Sequence, residues 1–243
     1  LSACGGVKYE FKDGVMYGDG KEATGTFEFK SGKNKVKGNF INGLPDGILE
    51  KYYSDGSIML KDAYVGGVNV AEELYYKGGQ LMGAFSETEA LRLYYENGNV
   101  VMSVNPQTGE TVVYHENGNP LMAIAGGSAA IFNENNEMLF KIENEQPVEM
   151  EATLNQLEDG SYELVKDDKV IAKIDANGQI GLSEIFFKDG TTLFESDGNN
   201  FTLNYKDGKP LYEAKGNVWK FFSTDGEEII SNFEIITDIK KVN

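Results

Sequence analysis

The side chains that most often perform chemistry are scarce in this sequence, which contains one cysteine, Cys4, and one histidine, His115. A single cysteine cannot form an intrachain disulfide, and the two residues cannot complete a zinc site of the Cys/His type. Any nucleophile activated by a histidine would have to use His115. In the repeated motif that fills the chain, the position of His115 elsewhere holds tyrosine or phenylalanine, which predicts packing rather than catalysis.

Carboxylates are abundant, with 39 Asp and Glu residues, and many aspartates stand in or beside turn signals. These are Asp13, Asp46, Asp55, Asp159, Asp189, Asp197, Asp207 and Asp225. Clustered carboxylates suit calcium, but no segment matches the twelve-residue calcium loop or a calcium-binding nonapeptide repeat. No carboxylate pair is singled out by spacing for glycoside hydrolysis. We therefore assign these residues to turn geometry and solubility, and predict a protein that is not an enzyme and uses no metal or cofactor.

The composition of the 243 residues favours β-structure. Glycine is frequent (29) and proline rare (5), and the aromatic residues comprise 14 Phe, 13 Tyr and 1 Trp, as is typical of strands joined by tight turns. The formal net charge of −17 repels phosphate backbones, so we expect no nucleic-acid partner. No apolar run approaches the ~20 residues that span a bilayer as a helix.

One motif recurs along the chain: two apolar residues, usually aromatic, then a polar residue, then a dipeptide of the Asn-Gly or Asp-Gly type. The clearest copies are 52–56, 75–79, 94–98, 114–118, 186–190, 204–208 and 221–226, the last with one residue inserted. Weaker copies are 10–14, 28–32, 131–136 and 164–168. The sequence therefore predicts a repeat protein of about eleven units.

The Asn-Gly and Asp-Gly dipeptides predict the tips of two-residue β-hairpins, because these residues tolerate the positive φ angles of a type I′ turn. Further turn signals between the tips, such as Asn42-Gly43 and Gly66-Gly67, would connect successive hairpins and are called back-turns below. The predicted fold is therefore all-β, an elongated repetitive antiparallel meander of β-hairpins in which each strand pairs with its neighbours in sequence.

Pairing across a two-residue tip places the two aromatic residues of each motif on opposite faces of the sheet. At the tip Asp55-Gly56 this register groups Tyr53 with Leu60 on the more apolar face and sets Tyr52 opposite Met59 on the other. The first aromatic residues then form a ladder, for which the candidates are Tyr52, Tyr75, Tyr94 and Tyr114. Because tyrosine is enriched at interfaces, we predict that this ladder is a binding face.

The stretch from Gly38 to Gly56 gives the repeat its most specific form: a glycine and an aromatic residue, Asn-Gly, Asp-Gly, a bulky residue, then Tyr-Tyr and Asp-Gly. It resembles the bacterial variant of the MORN repeat, with Ile48 where a tryptophan is usual. The resemblance implies a single-layer antiparallel sheet. Bacterial members of this family are frequently described as antitoxins and eukaryotic members as protein- or membrane-associated scaffolds, so the resemblance also implies binding to proteins.

The first residues, Leu1-Ser2-Ala3-Cys4, resemble the lipobox of bacterial lipoproteins, in which cleavage exposes a cysteine that is then lipidated. The resemblance implies lipidation at Cys4 and attachment to a membrane of the bacterial cell envelope, with the protein facing the periplasm or the cell exterior. Several acyl chains at ~0.8 kcal/mol per buried methylene would make that anchor stable.

The rhythm of the motif suggests four parts: a tether at 1–8, a first block of hairpins at 9–143, an irregular segment at 144–160, and a second block at 161–243. Alternating apolar residues in 144–160 favour an extra strand, although a short helix after Pro147 also fits. We expect residues 228–242 to form a capping pair of strands, since terminal repeats differ from internal ones.

These observations predict a non-enzymatic, lipid-anchored bacterial envelope protein whose hairpin repeats form a scaffold for an unidentified protein partner. Two alternatives remain open. An immunity- or antitoxin-like inhibitor would use the acidic surface to dock on a basic toxin, and a carbohydrate-binding lipoprotein would stack a glycan on the tyrosine ladder.

Overall fold

The computed structural model describes residues 6–86, 88, 91–144, 146–174, 182–197, 199–216, 218–229 and 234–242. Within these ranges the chain forms strands and turns and no helix. Successive strands pair antiparallel with their neighbours in sequence. The predicted all-β fold, a repetitive antiparallel meander of β-hairpins, is confirmed.

The chain divides into two compact units. The first unit contains Leu1–Gly98 and Ser231–Asn243, and the second contains Asn99–Ile230. The blocks suggested by the rhythm of the motif, 9–143 and 161–243, divide the chain at a different place. The end of the chain belongs to the first unit because the last strand pairs with one near the start of the chain.

The first unit contains a three-stranded sheet and the strands of a longer meander. Its strands are β1 (Tyr9–Lys12), β2 (Val15–Gly18), β3 (Lys21–Glu22), β4 (Gly25–Ser31), β5 (Asn34–Ile41), β6 (Leu44–Tyr52), β7 (Ile58–Val65), β8 (Val68–Tyr75), β9 (Leu81–Ser86), β10 (Leu91–Tyr94) and β26 (Ile236–Val242). β1, β2 and β3 form the small sheet, and the others follow the order β26, then β4 to β10.

A cluster of aromatic and aliphatic side chains joins the small sheet to the meander. Its buried members are Met16, Phe27, Phe29, Val36, Phe40 and Leu49. Phe11 of β1 stacks on Phe29, with ring centroids 6.3 Å apart. The face of the meander that carries Phe29 and Leu49 is therefore covered, and we call it the inner face. Because strand side chains alternate, the outer face carries Ile48 and Glu50.

The expected capping pair at 228–242 is wrong. Its two halves join different sheets: β26 pairs with β4 in the first unit, while Glu228–Ile229 pairs with the preceding strand of the second unit. The N–H of Glu234 donates to Ser31 Oγ at 2.9 Å beside the β26 pairing. A strand that is distant in sequence thus covers an edge that β4 would otherwise expose, and exposed edges promote unwanted pairing.

The second unit continues the meander in two sheets. Its strands are β11 (Val100–Val104), β12 (Thr111–Tyr114), β13 (Pro120–Ala125), β14 (Ser128–Phe132), β15 (Met138–Glu143), β16 (Gln146–Met150), β17 (Thr153–Gln156), β18 (Tyr162–Lys166), β19 (Lys169–Ile174), β20 (Leu182–Phe186), β21 (Thr192–Ser196), β22 (Asn200–Asn204), β23 (Pro210–Lys215), β24 (Val218–Phe222) and β25 (Glu228–Ile229). The order breaks between β16 and β17. Both strands lie within 144–160, so the preference for strand over helix in that segment is confirmed.

Most hairpin tips are not the two-residue type I′ turns that the dipeptides predicted, although Asp13-Gly14 and Asp167-Asp168 have the two positive φ angles of that turn. At a typical tip the N–H of Gly56 donates to the carbonyl of Tyr53 at 3.0 Å, and Gly56 has a φ of 89°. Asp55 does not share the positive φ, so the loop is a type I turn followed by a left-handed glycine. Type I′ geometry occurs instead at the back-turns, as in Asn42-Gly43 with φ angles of 48° and 78°.

A β-bulge follows most tips and explains why the predicted register failed there. Tyr52 pairs with Ile58 rather than with Met59, and the expected register resumes where Lys51 pairs with Leu60. The residue left unpaired is buried in each case: Met59, Met82, Leu121, Leu139, Leu193 and Leu211. Because a bulge can re-aim a side chain, each hairpin adds one apolar residue to the covered face.

Candidate protein-binding surface

In several motifs the second residue of the pair forms a hydrogen bond to the next hairpin, and in the first unit it lies on the inner face. Tyr53 is 2% exposed, and its hydroxyl donates to the carbonyl of Tyr75 at 2.7 Å. Tyr76 is fully buried and donates to the carbonyl of Tyr94 at the same distance. These hydrogen bonds satisfy carbonyls beside the tips and couple successive hairpins, each of which would be marginally stable alone.

His115 occupies the same position in the second unit. Its Nε2 lies 3.0 Å from the carbonyl oxygen of Phe132 in the next hairpin, which fixes Nε2 as the donor. The imidazole therefore replaces a tyrosine hydroxyl in the coupling between hairpins, at the position that the motif assigned to it. Cys4, the predicted lipidation site, lies outside the described residues.

The four tyrosines of the predicted ladder, Tyr52, Tyr75, Tyr94 and Tyr114, are half-buried. The first three belong to the first unit and Tyr114 to the second, so Tyr114 is considered with its own unit. In the second unit, the Tyr114 hydroxyl lies 3.2 Å from Ser103 Oγ. Within the first unit, Tyr52 and Tyr75 share the outer face with Glu50 and Glu73, because residues two apart in a strand point the same way.

Tyr52 and Tyr75 have nearly the same environment. The Tyr52 hydroxyl donates to Glu50 at 2.5 Å, and the Tyr75 hydroxyl donates to Glu73. Partial burial and, next, the bonded carboxylate raise the pKa of each phenol to about 12. Lysine ammonium groups lie 5.7 Å from the Tyr52 ring centroid and 5.2 Å from that of Tyr75. These phenols stay neutral donors at physiological pH, and their ring faces attract cations.

A row of charged side chains crosses the outer face next to the tyrosines. Cross-strand pairing places its members in one line over six strands: Lys240, Glu28, Lys37, Glu50, Lys61 and Glu73. The sign alternates at every step, and Lys240 Nζ lies 3.1 Å from a carboxylate oxygen of Glu28. Opposite charges on directly paired residues stabilise a sheet. We call these six residues the charged row.

Aliphatic side chains are exposed on the other side of the charged row, toward the back-turns. They are Ile41, Leu44, Ile48, Val65, Val68 and Val70, and between 37% and 64% of each is accessible to solvent. Ile41 pairs with Leu44 and Val65 pairs with Val68, while the N–H of Gly67 donates to the carbonyl of Pro45 at 2.9 Å. The two back-turns are therefore in contact, and we call these six residues the aliphatic patch.

Sequence reasoning missed both the charged row and the aliphatic patch. The alternation of Lys and Glu is visible only once the strands are placed in register, because its members are far apart in the sequence. The signal that could have found the row is the spacing of Lys37, Glu50, Lys61 and Glu73, one near the centre of each successive strand.

A buried polar cluster lies on the inner face of the same strands. Lys51 and Asp62 are each 2% exposed, and Asp62 pairs directly with Glu72. Burial and then the charge of Asp62 raise the pKa of Glu72 to about 8, and burial also raises the pKa of Asp62. Burial lowers the pKa of Lys51, although Glu234 and Asp62 oppose that effect. If the two carboxyls share one proton, they carry a single negative charge, and a charged Lys51 makes the cluster of three side chains neutral.

Neither metal binding nor a membrane-spanning helix has support in the part of the chain that is described. There, no group of three or more His, Cys, Asp or Glu side chains is arranged to hold a metal ion. No helix in that part is long and apolar enough to cross a membrane. The outer face of the first unit, with its tyrosines, charged row and aliphatic patch, is the strongest candidate for a functional surface.

Comparisons with known proteins leave the family open. No protein-family model and no curated protein matches the sequence. Among solved structures, a protein of unknown function from Bacteroides caccae is similar at 13% identity and a TM-score of 0.20, over 69% of this chain and 83% of that one. An alternansucrase in complex with isomaltononaose is similar at 16% identity and a TM-score of 0.15, over 91% of this chain and 18% of that one. The function has to be argued from the chain's own residues.

Proposed function

We propose that this chain is a non-enzymatic bacterial envelope protein, anchored by a lipid on Cys4, whose hairpin repeats form a scaffold that binds a partner protein through the outer face of the first unit. The observation that carries the proposal is the aliphatic patch. Six aliphatic side chains clustered on one exposed sheet face are unusual for a monomer, and patches of this kind mark protein interfaces.

The surroundings of the aliphatic patch support a protein as the ligand. A patch of Ile, Leu and Val bordered by charged and tyrosine side chains has the composition of an interface, in which an apolar centre is surrounded by a polar rim. Tyr52 and Tyr75 add rings that are already held by their carboxylates, so little side-chain entropy would be lost on binding.

The same features disfavour the two alternatives. A glycan stacking on Tyr52 or Tyr75 would have to displace Lys35 or Lys61 from the ring. A basic toxin steered by the net charge of −17 would find, on this face, a row with three lysines and three glutamates.

Affinity capture from native envelope extracts tests the binding surface. Val65 is 64% exposed in the aliphatic patch, so Val65→Lys should abolish capture of the partner while leaving the fold intact. Val218→Lys is the matched control, since Val218 is 57% exposed in the second unit, and it should capture the partner as the wild type does. If both variants capture the same proteins as the wild type, the surface is misassigned.

Membrane fractionation tests the anchor separately. The full-length protein should partition with membranes, and Cys4→Ala should release it to the soluble fraction because the acyl chains supply the binding energy. Unchanged partitioning of Cys4→Ala would show that Cys4 carries no anchor.

A further inference from the structure

The charged row on the outer face of the first unit is complementary to a reversed copy of itself. It has six members of alternating sign, beginning with a lysine and ending with a glutamate. Reversing such a row exchanges every lysine for a glutamate. In a reversed copy Lys61 faces Glu28, and Lys37 faces Glu50.

A two-fold axis parallel to the strands produces this reversal when two outer faces meet. The axis inverts the order of the strands but keeps each position along a strand at the same level. The row places the axis between β5 and β6, so the aliphatic side chains of those two strands, Ile41, Leu44 and Ile48, meet the same side chains of the other copy. A two-fold axis perpendicular to the strands would instead keep the order of the row and place each lysine against itself, so the charges select one orientation.

The charge balance of this face also favours a second copy. Two chains with a net charge of −17 repel each other, but the row itself contains three lysines and three glutamates and has no net charge. The face that carries the aliphatic patch is therefore one on which two copies can approach without local repulsion.

The dimensions of the face are sufficient for a specific contact. Six strands at ~4.8 Å spacing span roughly 24 Å, and strands of about eight residues run ~27 Å. The product approaches the ~800 Å² that each partner buries in a standard interface. Two such faces would pack as aligned sheets, roughly 10 Å apart.

From these observations we propose that the partner of the outer face is a second copy of this chain, bound face to face about a two-fold axis parallel to the strands. The proposal rests on the proposed function, because it names the partner of the same surface. The aliphatic side chains of β5 and β6 pack together on the back-turn side of the interface, and the charged rows fix its orientation.

Sedimentation velocity of the full chain under reducing conditions tests the proposal. The wild type should dimerise, and the dimer should weaken as salt is raised. Lys61→Glu sets two glutamates against each other at two symmetry-related places, and Glu28→Lys does the same with lysines. Each single variant should raise the dimer dissociation constant about tenfold or more.

Mixing the two single variants gives the decisive result. In the mixed dimer the glutamate introduced at position 61 of one chain meets the lysine introduced at position 28 of the other. The unchanged Glu28 of the first chain meets the unchanged Lys61 of the second, so every pair is again of opposite charge. The mixture should dimerise as the wild type does, and so should a chain that carries both substitutions. A structural effect of either substitution could not be reversed by mixing, since each chain keeps its own defect.

Lys173→Glu is the matched control. Lys173 pairs with Glu163 and Glu184 in the second unit, so this substitution also places a glutamate between two glutamates and changes the net charge equally. It should leave dimerisation unchanged. A monomeric wild type, or mixed variants that fail to associate, would overturn the proposal. Capture of a different protein that is lost in Val65→Lys would still uphold the proposed function.

Discussion

The two units share the side-chain hydrogen bonds that join successive hairpins, whereas the opposite faces of their sheets differ. Tyr76 in the first unit and Tyr205 in the second both donate a hydroxyl to the carbonyl of the next hairpin, at 2.7 Å and 2.6 Å. His115 makes the equivalent bond with its ring nitrogen. A tyrosine or histidine at this position both fills space and supplies a donor, whereas Phe187 at the same position can supply no donor.

The outer faces of the units differ along the corresponding line of residues. In the first unit the line is the alternating charged row. In strands β11 to β14 of the second unit the paired residues are Ser103, Val112, Ala123 and Ala130. In the other sheet of that unit, Glu184 faces Glu195, a pairing of like charges. The meander forms with each of these three sets of paired residues. Folding therefore does not dictate which residues stand on the outer face, and a binding function can select them.

The largest expected effect compares the two residues of one tyrosine doublet. Tyr76→Ala removes a fully buried ring and its hydrogen bond, and should lower the free energy of unfolding by ~3–5 kcal/mol. Tyr75→Ala, on the outer face, should cost ~1 kcal/mol or less. Denaturant unfolding followed by circular dichroism measures both. Equal losses would mean that the two faces are not distinguished by their role in folding.

The next effect is a pH dependence of stability that arises from buried charged residues in the first unit. Among the described residues, the buried charged side chains, Lys51 and Asp62, are both in the first unit, next to Glu72. The pKa of Glu72 in the folded protein, about 8, is above its ordinary value of 4.5. The native state therefore keeps a proton that the unfolded chain releases. The contribution of Glu72 to stability is fully present below about pH 4.5 and is lost as the pH rises through about 8.

Glu72→Gln should remove most of this pH dependence, because an amide does not titrate. Unfolding midpoints measured between about pH 5 and about pH 9 should fall for the wild type and stay level for the variant. Glu163→Gln, a change on the second unit's sheet, is the control and should follow the wild type. If Glu72→Gln kept the wild-type slope, the titrating group would lie elsewhere.

Much of the fold could be predicted because the same sequence signal occurs in many copies. A turn dipeptide after two apolar residues, seen many times, identifies a hairpin meander even where single copies such as 164–168 are weak. It also placed His115 correctly, since the position was defined by its relatives in other hairpins. The turn type predicted for most tips was wrong because a glycine after Asn or Asp fits both a type I′ turn and a type I turn with a left-handed glycine.

The rest required distances that sequence order does not contain. The pairing of β26 with β4 joins residues about two hundred positions apart, and no local sequence pattern predicts it. The sequence pointed to the proposed binding surface through Tyr52 and Tyr75, but the aliphatic patch depends on a contact between two back-turns that are distant in the sequence. The bulges at Met59 and Met82 decide which residues face inward, and a bulge leaves no signal in the composition.

A smaller effect tests whether His115 is interchangeable with the tyrosines of the first unit. His115→Tyr should keep the free energy of unfolding within ~1 kcal/mol, because the hydroxyl can donate to the Phe132 carbonyl as Tyr53 does to Tyr75. His115→Phe keeps a ring but leaves that carbonyl without its donor, and should cost ~1–2 kcal/mol. A tyrosine variant less stable than the phenylalanine variant would contradict the shared role.

The smallest effect distinguishes the two kinds of turn, within the second unit. Asp168 stands with Asp167 in a two-residue turn and has a φ of 58°, a conformation that glycine adopts at little cost, so Asp168→Gly should stabilise the protein by ~0.5–1 kcal/mol. Asp207 stands at a tip without a positive φ, and its carboxylate accepts the N–H of Lys209 at 3.1 Å. Asp207→Gly should therefore destabilise the protein by a similar amount. The same substitution, measured by thermal unfolding, should thus have opposite signs in the two-residue turn and in the turn with a left-handed glycine, and equal signs would mean that the two turns share one geometry.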